Sequence, residues 1–381
     1  MDHAGSIEGS APAQGRRILV LLTDAFGGQP GGIALHNRDL LRALCGHPDT
    51  AEVVALPRLA GLPLNDLPDK LAFDVSGLGG TFAYLRALGR QLMSNRPFDA
   101  VYCGHINLMP LAVFAARILR VPLILGIHGI DAWEPSARWL TRAAAGHADR
   151  VLSVSRVTLD RFRSWCAYPE TACTVMPNAI HLDEFGMGTR DAALAERYGL
   201  TGRRVVMTLG RLAGNERYKG FDEVLEAMPA LIGQVPNIIY VIAGDGGDRG
   251  RLEEKAASLG IADHVVFTGV VAEEEKAALY RLADAYVMPS RGEGFGFVLL
   301  EAMACGVPTI ASTLDGGREA LRDGMLGELV DPGDGAALID AVLRALDKPQ
   351  DIPAGLEYFA FPEFSRRLND AVDRTLAAGR R

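Results

Sequence analysis

The chain has 381 residues, 49% hydrophobic and 23% charged, enough to bury a sizeable core and unlike a disordered or fibrous protein, and its length suggests two or three domains. Its 39 Lys+Arg against 47 Asp+Glu leave a net charge of -8, which argues against a nucleic-acid binder that works by neutralising phosphates. The charge is uneven: residues 1–182 carry 17 Arg+Lys against 15 acids, the remainder 22 against 32, and residues 84–163 hold 11 Arg, no Lys and 5 acids.

Residues 1–15, MDHAGSIEGSAPAQG, are small and polar with no apolar run, so a flexible lead is expected rather than a signal peptide. The five cysteines show no C-x-x-C spacing, which points to a reducing cytosol and to neither a disulfide framework nor a zinc ribbon. Apolar stretches such as Ile18 to Leu22 are far too short to span a bilayer, which needs about 20 residues. A membrane contact, if made, is peripheral.

Short β-branched runs then alternate with helical patterns, the sequence form of βαβ units and a parallel sheet. The first strand, RILVLLT from Arg17, runs into a turn with Gly27, Gly28, Gly31 and Gly32 before a helix over Ala34 to Leu44. The spacing is not G-x-G-x-x-G, and no acid closes the next strand, EVVALP from Glu52, so a nicotinamide dinucleotide is disfavoured. Close approach to a substrate at a cleft mouth competes with a simple tight turn. DAVYCG from Asp99 ends near His105, a helix follows over Leu108 to Leu119, and PLILGIHG from Pro122 ends in His128-Gly129-Ile130-Asp131. A polar burst at the C-terminal end of a buried parallel strand points into the ligand crevice. His128 is a candidate to bond a sugar hydroxyl or relay a proton, with capping of the sheet edge as the alternative. His105 is a weaker candidate of the same type, and Asp131 either orients His128 or binds an acceptor hydroxyl. RVLSVS from Arg150 completes the first series.

The break falls at MPNAIHLDEFG, with a hinge near Ile180 to Asp183. A second series follows: RVVMTLGR from Arg204, NIIYVIAG from Asn237, HVVFTG from His264, AYVMPS from Ala285 and PTIAS from Pro308. Two successive α/β domains are therefore expected: 16–182, and 183–357, with 358–381 as an amphipathic tail whose Phe364, Leu368, Val372 and Leu376 repeat every four residues. That tail serves either as a plain core helix or as a bridge between the halves.

The second half carries the sharpest chemistry. In PSRGEGFGFVLLEAMACGVP, glycines 292, 294 and 296 form a loop expected to pass close to a ligand, and a helix over Phe297 to Ala304 offers free amides suited to a phosphate. Glu301, inside the apolar run of that helix, needs hydrogen-bond donors; two ribose hydroxyls or a protein partner would supply them. Glu293 lies on the loop eight residues earlier, where the helix N-terminus favours its charge. Arg211 at a strand end and Lys219 before a helix stand eight residues apart and can converge on one diphosphate. Lys219 is one of five lysines beside 34 arginines; a surface lysine is the alternative. Asp245 and Gly246, and Val270 with Val271, end neighbouring strands and can line a nucleotide pocket. No D-x-D triplet occurs, which counts against a donor held through a metal and leaves the positive charge to Arg211 and Lys219. No metal and no cofactor are therefore expected beyond a nucleotide-sugar co-substrate.

The ordered elements GR (210–211), KG (219–220), AGDG (243–246), VVFTG (265–269) and E-x7-E (Glu293, Glu301) closely resemble the family-4 retaining glycosyltransferases of the GT-B fold, which pairs two Rossmann-like domains across a cleft. The resemblance implies that Glu293 contacts the donor sugar and Glu301 the ribose. It further implies that Arg211 and Lys219 grip the diphosphate, that amides of Gly294, Phe295, Gly296, Phe297 and Val298 meet sugar and phosphate, and that His128 lies near the reacting carbon. Gly31 and Gly32 extend the likeness into the first half. It also implies a C-terminal helix that crosses back to the first domain. Phe297 departs from the smaller aliphatic usual there. The wording HGIDAWE and RGEGFG is similar to bacterial polysaccharide-assembly members.

The expected function is retaining transfer of a hexosyl group from a nucleoside diphosphate sugar to a hydroxyl of a saccharide or lipid-linked saccharide. A nucleotide-sugar epimerase on the same fold is the alternative, with a non-catalytic sugar-binding module behind it. The arginine-rich stretch from Tyr84 to Arg163 is expected to face an anionic membrane or a lipid-diphosphate acceptor, against a simple solvated face.

Overall fold

A computed structural model describes residues 15–27, 31–61 and 63–379; Gly28 and all but the last residue of the expected N-terminal lead lie outside them. The apolar runs form two parallel sheets. The first comprises β1 (Arg16–Leu22), β2 (Thr50–Pro57), β3 (Leu71–Phe73), β4 (Ala100–Cys103), β5 (Leu123–Ile127), β6 (Arg150–Ser153) and β7 (Cys173–Val175), in the order β3-β2-β1-β4-β5-β6-β7. The second comprises β8 (Arg204–Leu209), β9 (Ile238–Ala243), β10 (Val265–Gly269), β11 (Ala285–Met288), β12 (Thr309–Ser312) and β13 (Glu328–Val330), in the order β10-β9-β8-β11-β12-β13.

All seven residues of β1 are buried, and Val20 faces Ala55 on one side and Tyr102 on the other. A strand covered by helices on both faces has no solvated side, which is why it reads as a continuous apolar run. Strands β3, β7 and β13 were not anticipated as strands. Each is a three-residue edge strand, too short to show a period and held by one neighbour only.

On one face of the first sheet lie α2 (Thr81–Leu92), α3 (Met109–Leu119), α5 (Trp139–Ala145) and α6 (Arg156–Trp165), which share a single core with Leu19, Leu21 and Val54; the short α4 (Ile130–Trp133) leads into them. On the other face lie α1 (Gly32–Gly46) and the C-terminal helix Phe361–Gly379. That last helix starts beside the second domain and buries Phe364, Leu368 and Val372 with Ile18 and Val20 of the first. Polar contacts fix it there: Arg16 Nη2 donates to Asn369 Oδ1 at 2.6 Å, Asn369 Nδ2 to the Ala43 carbonyl at 3.1 Å, and Arg150 Nε to Thr375 Oγ1 at 2.8 Å.

The chain passes between the sheets twice, side by side. Ile180 N–H donates to the Phe359 carbonyl at 2.8 Å and Phe361 N–H to the Ile180 carbonyl at 3.1 Å. Opposite this crossing, the amides of Arg156 and Val157 that open α6 donate to the Glu319 carboxylate at 2.7 and 2.9 Å. A carboxylate of the second domain thus supplements Ser155, the N-cap of α6, at a helix end of the first.

Candidate active site

In each sheet the strand order reverses once, between β1 and β4 and between β8 and β11. Ligands in open α/β sheets bind beyond the carboxyl ends of the strands at such a point. Here the two switch points face each other across a cleft of about 670 Å³. The first domain contributes Gly31, Gly32, His36, His128, Asp131 and Asn178; the second contributes Arg211, Lys219, Asp245, Val270, Glu293 and the loop and helix start from Gly294 to Val298.

Of the described residues singled out from sequence, all but Gly27, Gly246 and His105 line this cleft; a Cβ on Gly27 would meet the Gly61 carbonyl oxygen at 2.0 Å, so that glycine belongs to a tight turn. A Cβ on Gly246 would meet the Leu212 carbonyl oxygen at 2.1 Å, so this glycine serves loop packing. His105 Nδ1 accepts the Asn107 amide at 3.1 Å and caps a short helical turn, a structural role that the sequence did not suggest.

The two cations meet on one carboxylate. Glu216, which sequence reasoning passed over, pairs with Arg211 and lies 2.8 Å from Lys219 Nζ. Burial would raise the Glu216 carboxyl, but the bonds from Lys219 and Arg211 outweigh it and hold it below its ordinary range. Above them the Phe297–Ala304 helix begins at Gly296 with no side-chain cap, which leaves its first amides free for an anion.

Glu293 sits on the intervening loop, whose shape a buried carboxylate underneath fixes. Asp315 accepts Ser290 Oγ at 2.7 Å, the Glu293 amide at 2.8 Å and the Gly317 amide at 3.0 Å. Burial pushes the Glu293 carboxyl up, and nearby Lys219 opposes that rise. The loop glycines line the cleft and have a packing reason besides the close approach to a ligand that was expected. A Cβ on Gly292 would meet the Tyr218 ring at 2.6 Å, one on Gly294 the His128 carbonyl oxygen at 2.1 Å, and one on Gly296 the Leu299 side chain at 2.9 Å. Packing between protein segments excludes side chains there, whereas a Cβ on Gly31 would meet nothing within 4 Å.

Among the described residues Glu301 has protein partners, one of the two kinds that its burial called for. Tyr280 Oη donates to Glu301 Oε2 at 2.7 Å, and Lys276 Nζ stands 3.7 Å from Oε1. Lys276 is itself 2.9 Å from Glu273. Burial pushes the Glu301 carboxyl up, and Lys276 is the largest opposing influence. A run of three Glu and a Lys four residues from the VVFTG strand, EEEK, was the available signal for Lys276.

On the other wall, His128 Nε2 donates to the Gly104 carbonyl at 2.9 Å. Burial pulls its pKa down to about 4, so the ring is neutral, with Nε2 protonated and the Nδ1 lone pair without a protein partner. This favours accepting a hydrogen bond from a sugar hydroxyl over relaying a proton. Asp131 does not touch the ring; its Oδ1 accepts the His128 backbone amide at 3.2 Å. Burial pushes the Asp131 carboxyl up to about 6, and its Oδ2 has no partner. Behind His128, His36 packs edge to face at 4.7 Å between ring centres and bonds Asn178 Oδ1 through Nδ1 at 2.8 Å.

Residues 193–358 match the family described as Glycosyl transferases group 1, and residues 30–184 match Glycosyltransferase Family 4. The chain belongs to glycosyltransferase family 4. The GDP-mannose-dependent alpha-(1-6)-phosphatidylinositol monomannoside mannosyltransferase of Mycolicibacterium smegmatis is 34% identical over 309 residues, 77% of this chain and 79% of that protein. The alpha-D-kanosaminyltransferase of Streptomyces kanamyceticus is 30% identical over 310 residues, 76% of this chain and 79% of that protein. In fold, Anabaena HepE in complex with UDP and glucose superposes with a TM-score of 0.75 at 20% identity, covering 94% of this chain and 100% of that one. The architecture of this family-4 member is GT-B, and the enzyme is a glycosyltransferase that uses a nucleotide sugar.

Proposed function

We propose that this family-4 enzyme transfers a hexosyl group with retention from a nucleoside diphosphate hexose to a hydroxyl of a saccharide or glycolipid, without a metal ion. The observation that carries this reading is the convergence of Arg211 and Lys219 on Glu216 beneath an uncapped helix start, in the cleft that also holds Glu293, Glu301 and His128. In this arrangement Glu301 and Lys276 take the ribose end and Asp245 and Val270 flank the base. The diphosphate lies on Arg211, Lys219 and the amides of Phe297 and Val298, and the sugar lies between Glu293 and the Nδ1 lone pair of His128. Asp131 faces the acceptor.

The acceptor oxygen attacks the anomeric carbon on the face the diphosphate leaves. The bond from that carbon to the phosphate oxygen breaks as the new one forms, and the acceptor proton passes to the departing phosphate. Arg211 and Lys219 stabilise the charge that develops on that leaving group. Glu293 and Asp131 are the carboxylates at this point of the cleft; Glu293 is held by its loop amides and Asp131 by the amide of His128, which supports reading both as binding groups.

The names of the relatives suggest GDP-mannose as the first donor to assay and a glycolipid as the first acceptor. Proton NMR of the product formed from each donor tests the reading. Transfer that needs the acceptor and keeps the anomeric configuration is expected, with turnover lost in Glu293→Ala. An inverted product, or an epimerised donor formed without acceptor, would overturn it.

A further inference from the structure

One face of α1 grips the two chain crossings in two successive tiers. In the first, His36, 3% exposed, donates from Nδ1 to Asn178 Oδ1 at 2.8 Å and stands edge-on to the Phe364 ring, 5.7 Å between centres. In the second, Asp39 Oδ1 accepts His181 Nε2 at 2.7 Å, and the His181 ring stacks on Phe361 at 4.9 Å. Residues three apart in a helix are neighbours on its surface, so His36 and Asp39 act from the same side. Each tier thus joins α1 to one residue of the first crossing and one ring of the second. Asn178 and His181 flank Ile180, whose N–H and carbonyl make the backbone bonds to Phe359 and Phe361. The crossing is thereby fixed to the first domain on both sides of Ile180.

The first tier also reaches the cleft. His36 packs on His128 at 4.7 Å between ring centres, with the planes at 69°. His128 is otherwise held through its ring by Nε2, which donates to the Gly104 carbonyl at 2.9 Å. The χ2 torsion of histidine is broad and roughly two-fold, so one bond at the far edge of the ring leaves the direction of the Nδ1 lone pair loosely set. The His36 ring closes off the remaining rotation. Burial, with His128 adding to it, pulls the His36 pKa down to about 3, so the ring carries one proton, on the Nδ1 that meets Asn178. Helix α1 itself starts in the cleft, where a Cβ on Gly32 would stand 3.8 Å from the Phe297 ring of the second domain.

We propose that His36 is a positioning residue for glycosyl transfer: it ties the His128 ring to the crossing between the domains, so that the Nδ1 lone pair stays aimed at the sugar. The proposal rests on the reading above, in which His128 meets the donor sugar. The diphosphate lies on residues of the second domain in that reading. Loosening His36 therefore acts on turnover and leaves the affinity for the nucleoside diphosphate nearly unchanged.

Two variants divide the contact. His36→Phe keeps an aromatic ring against His128 and loses the donor to Asn178; His36→Gln keeps a donor and loses the ring. Each should lower kcat by about 10- to 100-fold, the scale of a misplacement of about 1 Å, while the Kd of the nucleoside diphosphate measured by titration calorimetry moves by less than about twofold. In a His128→Ala background the same changes should cost less than about a further twofold, because a residue that acts through another is not additive with it. Thermal unfolding of each variant shows that the fold is kept. NMR of the enzyme labelled with 15N-histidine gives a readout independent of activity. The His128 signal, identified by its loss in His128→Ala, should report one tautomer with the proton on Nε2, and should become a mixture in His36→Phe. Should neither His36 variant fold, Asn178→Ala removes the same hydrogen bond from its other end, and the His128 signal should again become mixed. Unchanged kcat, a loss that multiplies with that of His128→Ala, a loss accounted for by weaker nucleotide binding, or a His128 tautomer that ignores these changes would overturn the proposal. Wild-type turnover indifferent to His128→Ala would instead refute the reading of the cleft, and the tautomer measurement would still decide whether His36 orients His128.

Discussion

Arg211 and Lys219 share Glu216 but are held differently, and the difference predicts unequal contributions to catalysis. The Lys219 side chain is 16% exposed with Nζ 2.8 Å from Glu216, whereas the Arg211 side chain is 70% exposed. A cation already fixed and shielded acts on developing charge without reorganising, and removing one such donor costs about 3 to 4 kcal/mol of transition-state stabilisation, a factor of roughly 10²–10³. A long exposed side chain must first be ordered, at up to about 2 kcal/mol of rotamer freedom. Lys219→Ala is therefore expected to lower kcat/KM by roughly 10²–10³, and Arg211→Ala by about 5- to 30-fold, since about 1.4 kcal/mol corresponds to tenfold. Lys219→Ala also leaves the Glu216 carboxylate facing the diphosphate with only an exposed arginine to offset it. Adding Glu216→Gln to Lys219→Ala should then restore about tenfold of the loss. The assay is steady-state release of nucleoside diphosphate, with thermal unfolding of each variant to show that the fold is kept. Equal losses for the two cations, or a larger loss for Arg211, would refute the argument from preorganisation.

Three other outcomes follow from single contacts. Tyr280→Phe removes the donor to Glu301 Oε2 and should cost about 1 to 3 kcal/mol in stability, since a buried carboxylate oxygen is left unmet; urea unfolding within about 0.5 kcal/mol of wild type would contradict it. Gly294→Ala places a Cβ 2.1 Å from the His128 carbonyl oxygen, so the two domains cannot close on each other; turnover should fall by at least about 10²-fold, while small-angle scattering shows a larger radius of gyration. Burial holds His36 at about 3 and His128 at about 4, below the ordinary 6.5. Their contribution to stability is complete above about pH 6.5 and is lost as pH falls towards 4, by up to about 1.4 kcal/mol per pH unit for each ring. Asp131, raised by burial to about 6, acts in the opposite sense: its contribution is lost as pH rises through that value. Urea unfolding of His36→Gln between neutral pH and about pH 5 should accordingly show a shallower loss of stability than wild type, and an unchanged slope would refute the reading.

The long strands and the Phe297–Ala304 helix were legible because their residues carry a period or a cap signal within themselves. What escaped was held by partners distant in the chain. Strands β3, β7 and β13 exist because a neighbouring strand pairs with three residues, and no local pattern records that. Glu216 reads as one acid in NERYKG and becomes visible only when the fold places Arg211 and Lys219 on either side of it. Lys276 and Tyr280 lie more than twenty residues before Glu301 and meet it through packing of helices Glu273–Tyr280 and Phe297–Ala304. His105 and Gly246 sit in strand-end positions resembling those of His128 and Asp245, and only the fold shows that His105 is taken up by the Asn107 amide and Gly246 by the Leu212 carbonyl.

The glycines of the donor loop sharpen the relation between fold and chemistry. Their spacing suggested a backbone thinned to admit a ligand, yet Gly292 and Gly294 are required by the Tyr218 ring and by the His128 carbonyl. Gly294 lies in the second domain and His128 in the first, so that requirement is a constraint on how the domains meet. Gly129 repeats it from the other side, where a Cβ would stand 2.9 Å from Gly294 Cα. The same closed arrangement brings Glu319 onto the first amides of α6. Two bare backbones in contact at the cleft floor, and a carboxylate latching a helix end nearby, set the distance between His128 and Glu293 before any sugar arrives. On this argument the E-x7-E segment does two jobs with adjacent residues: Glu293 presents its carboxylate to the cleft, and Gly294 admits the opposing domain closely enough for that carboxylate to be used.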